Sequence, residues 1–224
     1  VSTMVFLYSI SLCKGISDDK SVMLASHVIP PSLLSYFYKD TMKEFTLFIS
    51  KLLCSRTPHG MQQRVEKDSQ IAYVYKLGKK GGLFGGKETA TTEGLTCVVV
   101  TDREYPQRVA FGICSRMLAE VIQLYKNDDS LARVSLSKDY CLQDKFESHL
   151  KKCLEEYKDP LKADKILATQ KHIQETKQAV TLTIDKLLRN GEELDTLIHR
   201  NQDLSEASKE FYIKSKGSSC CTIL

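Results

Sequence analysis

Hydrophobic and polar positions change their period once along this chain, near Asp159-Pro160, and the two sides predict different kinds of structure. On the N-terminal side the pattern switches between a period of two and one of 3.6. Residues 5–12 and 21–28 alternate as two strands around a turn at 15–20, and Pro30-Pro31 ends the extended run. Thr41-x-x-Glu44 reads as a capping box, with Met42, Phe45, Phe48 (or Leu47), Ile49 and Leu52 following at helical spacing. Residues 61–67, 71–77 and 95–101 predict three more strands. A second helix opens with Pro106 in its first turn and carries Val109, Ile113, Leu118 (or Met117), Val121 and Leu124. A third carries Leu142, Phe146, Leu150 and Cys153 or Leu154. The order β-β-α-β-β-β-α-α with short connections predicts an α+β layer fold, a five-stranded antiparallel sheet covered by three helices.

Beyond Pro160 there is no further proline, and Gly191 is the only glycine before Gly217. The apolar spacing becomes heptad-like. Counted from Asn190, the inward positions are Ile166, Thr169, Ile173, Thr176, Val180, Thr183 and Leu187 on one side. On the other they are Leu194, Leu197, Asn201, Leu204, Ser208, Phe211 and Ser215, always in steps of three and four. A frame moved one residue back, to Arg189, would bury Lys186, Glu175, His172, Glu193, Arg200 and Asp203, which excludes it. The stripe mixes strong apolar positions with Thr, Ser and Asn. Such a seam is too weak to hold a dimer for its own sake and suits a helix that joins several others on demand. The alternative is a surface helix packed on its own domain. A straight helix of some fifty residues would run roughly 75–80 Å, longer than a domain of about 155 residues can cover. It must fold back in pieces, remain disordered or find partners.

Composition narrows the function classes. The 224 residues are 27% charged and 42% hydrophobic, a globular balance. The net charge of +4 is spread thinly, so no nucleic-acid partner is expected. No apolar stretch approaches the eighteen or so residues of a spanning helix, and no signal-peptide pattern stands at the N-terminus. Cys13, Cys54, Cys97, Cys114, Cys141 and Cys153 are dispersed without C-x-x-C pairs or histidine partners, which predicts buried reduced thiols and no metal site. Gly81 to Lys87 spells G-x-x-x-x-G-K, but Glu88 follows where a phosphate loop needs Ser or Thr, and no N-K-x-D motif lies downstream. The segment reads as a loop. Without a nucleophile–base pair or paired carboxylates, neither an enzyme nor a cofactor is expected. The terminus Cys220-Cys221-Thr222-Ile223-Leu224 is different: Cys221 stands four from the end in a prenylation pattern, and the final Leu favours geranylgeranyl over farnesyl. Cys220 offers a second lipid site, and stable anchoring takes two signals.

These parts in this order resemble the lipid-anchored longin SNAREs of the synaptobrevin (R-SNARE) class, over essentially the whole chain. Glu104-Tyr105-Pro106-Gln107-Arg108-Val109-Ala110-Phe111 is similar to the E-Y-P-x-R-V-A-F string that opens a longin helix. Residues 163–215 resemble a SNARE motif, with Asp185-Lys186-Leu187-Leu188 and Gly191-Glu192-Glu193-Leu194 around its centre. The resemblance implies a longin (profilin-like) domain at 1–155, a helical SNARE coiled-coil motif at 160–216 and a lipidated tail at 217–224. It implies fusion of vesicles in ER–Golgi, endosomal or vacuolar transport, by a protein cycling between a closed cytosolic form and a lipid-anchored form on the cytoplasmic face of endomembranes. Partners would be Q-SNARE helices in a four-helix bundle, a prenyltransferase and the SNARE disassembly machinery. Core layers would be Ile166, Ile173, Val180, Leu187, Leu194, Leu197, Leu204 and Phe211, around a central layer at Asn190. Cys221 would carry the prenyl group and Cys220 a palmitate or second prenyl. Phe45 and Phe48 would dock the SNARE helix, unless both are simply core. Two departures stand out: Asn190 occupies the place of the family's arginine, with no charge and a shorter reach, and residues 79–93 lengthen a hairpin. A prenylated longin adaptor that regulates trafficking without driving fusion is the alternative.

Overall fold

The computed structural model describes residues 6–17, 20–29, 39–78, 92–124, 138–159, 162–163 and 179–217. Strands β1 (Leu7–Gly15) and β2 (Ser21–Val28) form a hairpin whose register shifts between Leu12 and Cys13. Helix α1 (Lys39–Arg56) follows, then β3 (Gln62–Lys67), β4 (Gln70–Lys76), β5 (Leu95–Asp102), α2 (Gln107–Leu124) and α3 (Gln143–Tyr157). The β3–β4 turn is two residues long, and Asp68 takes the left-handed conformation (φ 51°) that such tight hairpins demand. Sheet order is β2-β1-β5-β4-β3, antiparallel throughout.

Alternation along the central strands sorts the core into two layers. Ile71, Tyr73, Tyr75, Cys97 and Val99 pack with α2 and α3, while Ala72, Val74, Val98 and Val100 pack with α1. Both faces are covered, so β4 and most of β5 are buried at every position. Polar ties hold the α2–α3 side in register. The Tyr105 hydroxyl donates to the Tyr157 carbonyl (2.8 Å), and Arg116 bridges Glu120 on its own helix and Glu156 on α3. The open edge of β2 is closed by residues 139–143. Asp139 accepts from the Met23 amide, Tyr140 and Leu142 amides donate to the Met23 and Leu24 carbonyls, and the Gln143 carboxamide pairs both ways with Ser26.

The α+β class is as expected, with one strand more. Val180–Thr183 forms β6, parallel to β3 from Gln63↔Val180 to Glu66↔Thr183, at the far edge of the sheet. The heptad reading made this stretch helical. Val180-Thr181-Leu182-Thr183 is rich in β-branched residues, however, and an unpaired β3 edge offers it a ladder. Three short helices follow: α4 (Ile184–Leu187), α5 (Leu194–Arg200) and α6 (Glu206–Gly217). From Val180 to Gly217 the predicted long helix is replaced by a strand and these short pieces.

Smaller expectations are corrected as well. Helix α1 begins at Lys39, so Thr41 lies inside it and Glu44 points elsewhere than to a cap. Leu124 ends α2 exposed, and Cys141 is exposed while Cys13, Cys54, Cys97, Cys114 and Cys153 are buried free thiols. Most of the G-x-x-x-x-G-K loop and its flanks, 79–91, lies outside the described residues.

Because the two layers lie on opposite sheet faces, a cavity in one should leave the other's packing intact. Phe146→Ala, which empties a fully buried site under α3, is expected to cost about 3–5 kcal/mol of unfolding free energy. Denaturant titration checks this, and a loss below about 1 kcal/mol would contradict the assigned core.

Candidate functional site

Helix α1 has an apolar layer on both sides. Met42, Phe45, Phe48, Ile49, Leu52 and Leu53 join the sheet residues Val74, Val98 and Val100 in one cluster, and the same cluster takes in Ile184, Leu187, Leu188, Leu194, Ile198, Leu204 and Tyr212 from the folded-back segment. Phe45 stacks on Tyr212 with ring centroids 5.5 Å apart. Phe48 lines a cleft of about 520 Å³ together with Leu197 and Leu204. The helix is thus a shared wall between domain core and C-terminal segment.

Charged and polar contacts fix the segment's register along α1. At its start, Glu44 Oε2 accepts from the Ser205 amide (2.9 Å), the Ser205 hydroxyl (2.8 Å) and the Ser208 hydroxyl (2.6 Å). Ser205 also caps α6 by accepting from the Ser208 amide. Burial pushes the Glu44 pKa up, but these three donors outweigh it and hold the carboxyl below its usual range. Midway, Lys51 pairs with Asp139 and, at 3.3 Å, with Asp203. Burial would lower its pKa, and the two carboxylates reverse that, so the ammonium stays charged. At the end of α1, Arg56 holds Glu192 through contacts of 2.8 and 3.1 Å, and Glu192 accepts from the Arg189 amide. Tyr212 donates to Asp195 at 3.0 Å and lies under the Lys67 ammonium, 5.1 Å from its ring centre. Burial and the neighbouring Asp195 raise the Tyr212 pKa, keeping its phenol protonated.

The stripe residues fare unevenly in this packing. Leu187, Leu194 and Leu204 are buried, Leu197 and Phe211 are half-buried against the cluster, and Val180 is exposed at the start of β6. Asn190 is exposed in a turn that Gly191 closes with φ 83°. Asn201 is spent on a second turn, where its side-chain oxygen accepts from the Asp203 and Leu204 amides. Ile166, Ile173, Cys220 and Cys221 lie outside the described residues. Sequence reasoning read Glu44 as a capping residue and missed Lys51, Arg56 and Tyr212. The charged positions of α1 carry no periodic signal. Tyr212, Ile184 and Ile198 did carry one, as large apolar side chains lying off the stripe of a supposedly soluble helix.

Residues 32–150 match the family model of the longin, or regulated-SNARE-like, domain, and residues 165–219 match that of synaptobrevin. The chain is 32% identical over 219 residues to the synaptobrevin homolog YKT6 of Debaryomyces hansenii, covering 97% of this chain and 99% of that one. To the synaptobrevin homolog YKT6 of Saccharomyces cerevisiae it is 30% identical over 209 residues, 93% of this chain and 95% of the relative. To the VAMP-like protein YKT62 of Arabidopsis thaliana it is 33% identical over 195 residues, 84% and 83% of the two chains.

The Glu44 contacts imply a pH dependence of docking. A carboxyl whose pKa is depressed in the docked state contributes above its ordinary value of about 4.3, and that contribution is lost as pH falls through the depressed value. Glu44→Ala at neutral pH is expected to loosen residues 201–217 by about 1–3 kcal/mol. Amide hydrogen exchange at Ser205–Ser208 reads this out, and unchanged protection would contradict the role given to Glu44.

Proposed function

The chain belongs to the longin-type R-SNARE family, the synaptobrevin homologues, and on that premise we propose that its folded-back segment is the reserve form of a fusion helix. The protein is a SNARE of vesicle trafficking. Its second half zippers with three Q-SNARE helices into a four-helix bundle, with Ile166, Ile173, Val180, Leu187, Leu194, Leu197, Leu204 and Phe211 as layers about Asn190. Removal of apolar surface from water, about 25 cal/mol per Å2, supplies the free energy that draws two bilayers together. The observation that carries this reading is double use: Leu187, Leu194 and Leu204 are layer residues of the stripe and are also buried against α1. They cannot be in both places at once. Docking on Phe45 and Phe48 therefore competes with zippering and holds the helix back.

Among the described residues no helix is long and apolar enough to cross a membrane. The Cys220-Cys221 terminus supports attachment through covalent lipids instead, a prenyl group on Cys221 added by a prenyltransferase and a palmitate or second prenyl on Cys220. Such an anchor places the protein peripherally on the cytoplasmic face of Golgi, ER-derived, endosomal or vacuolar membranes and lets a cytosolic closed form exist. Assembled bundles would be taken apart by the SNARE disassembly machinery. Asn190 offers a polar central layer without the charge-assisted bonds an arginine makes to glutamine carbonyls. That one residue favours the second reading, a prenylated adaptor that regulates trafficking without fusing membranes.

Mixing the purified chain with sets of Q-SNARE helices separates the two. A heat-resistant four-helix complex is the expected outcome, and failure with every set would favour the adaptor. Phe48→Glu places a charge in the cleft beside Leu197 and Leu204 and is expected to move lipidated protein from cytosol to membranes in fractionation. Unchanged partitioning with an intact fold would overturn the docking role.

A further inference from the structure

With letters a to g assigned so that stripe residues take a and d, Leu187 is a and Asn190 is d. Position e then reads Ile184, Gly191, Ile198, Ser205 and Tyr212 through the described part of the segment. Each of these five is used by the docked form. Ile184, Ile198 and Tyr212 are 3%, 1% and 3% exposed in the α1 cluster. Ser205 gives both its amide and its hydroxyl to Glu44. Gly191 supplies the left-handed turn (φ 83°) that separates α4 from α5 and brings Glu192 to Arg56. A coiled-coil seam needs only a and d, whereas a helix lying on a globular domain buries a wider face made of a, d and e or g. Column e supplies most of that wider face, with Leu188 at b and Leu182 at c beside it.

We propose, resting on the zippering reading above, that column e is a dedicated docking code for the chain's own longin domain, written beside the a/d code for partner helices. The α1 face with Phe45 and Glu44 is its receptor. Zippering leaves e at the flank of the seam, so substitutions there release the segment while leaving the stripe complete. Gly191 is the sharpest case. A Cβ built on it meets nothing within 4 Å, so Gly191→Ala acts through backbone conformation alone. It penalises the left-handed turn and favours the continuous helix, both in the direction of opening.

Hydrogen exchange on the full chain tests the proposal. Protection of residues 180–217 is expected to fall about thirtyfold or more in Ile198→Ser and Tyr212→Ser, and about tenfold in Gly191→Ala. Val180→Thr and Asn190→Ala, which alter stripe residues left exposed by docking, are expected to stay within about twofold of the parent, as surface changes do. Protection of β4 and β5 in every variant certifies the fold. Equal loss in stripe and e variants, or retained protection in the e variants, would overturn the e-column code while leaving the docked form standing. An unmodified chain without protection at 180–217 would overturn the docked form and the code together.

Discussion

Helix α1 is more apolar than one sheet face can cover, and the C-terminal half of this protein is arranged around that surplus. Nine of its eighteen residues are buried, seven of them apolar, more than a single stripe on a surface helix needs. Left bare, Phe45 and Phe48 would form an exposed aromatic patch of the kind that seeks a partner. The chain supplies that partner itself, with Tyr212 stacked on Phe45 and Leu197 and Leu204 beside Phe48. The sheet contributes through its open β3 edge, which β6 extends in parallel. Ordering 180–217 costs conformational entropy of about 1–2 kcal/mol per residue for the backbone alone, and burial against α1 offsets it. A bundle of four helices would offset it in another way. On the proposed zippering, the two packings compete for the same apolar residues, Leu187, Leu194 and Leu204.

The polar contacts decide which of the possible dockings occurs. An apolar helix face tolerates sliding, because hydrophobic burial has little direction. Glu44 near the start of α1, Lys51 midway and Arg56 at the end each meet a different point of the segment, namely Ser205 and Ser208, Asp203 and Glu192. These three fix its direction as well as its register. Arg56 is nearly enclosed, at 9% side-chain exposure, so its pairing weighs more than the solvent-facing ion pairs of α3, whose contribution is small.

The sheet and three helices of the first half were legible because local period, turn chemistry and burial agree there. Ser21–Val28 falls on the predicted bounds, and the other strands shift by a few residues at most. The second half was legible as a heptad and opaque as a fold. Residues 180–183 satisfy a helical stripe and a strand alternation at once, and the choice belongs to a sheet edge that is distant in sequence. Thr41-x-x-Glu44 has the form of a capping box, yet Glu44 finds Ser205 and Ser208, 161 and 164 residues away. A local pattern cannot anticipate a tertiary donor. Phe45 and Phe48 were readable as docking or as core, and the packing makes that distinction smaller than it looked: both side chains belong to a core that the C-terminal segment completes.

The most direct test of this account is a distance. Ser69, in the turn after β3, and Glu210, on α6, are both exposed, and between them Lys67 sits over the Tyr212 ring. Spin labels introduced at these two sites through non-natural amino acids report their separation in the full chain by pulsed electron resonance. The account predicts a single narrow distribution at short distance. A broad distribution at long distance, with the longin sheet intact, would contradict it.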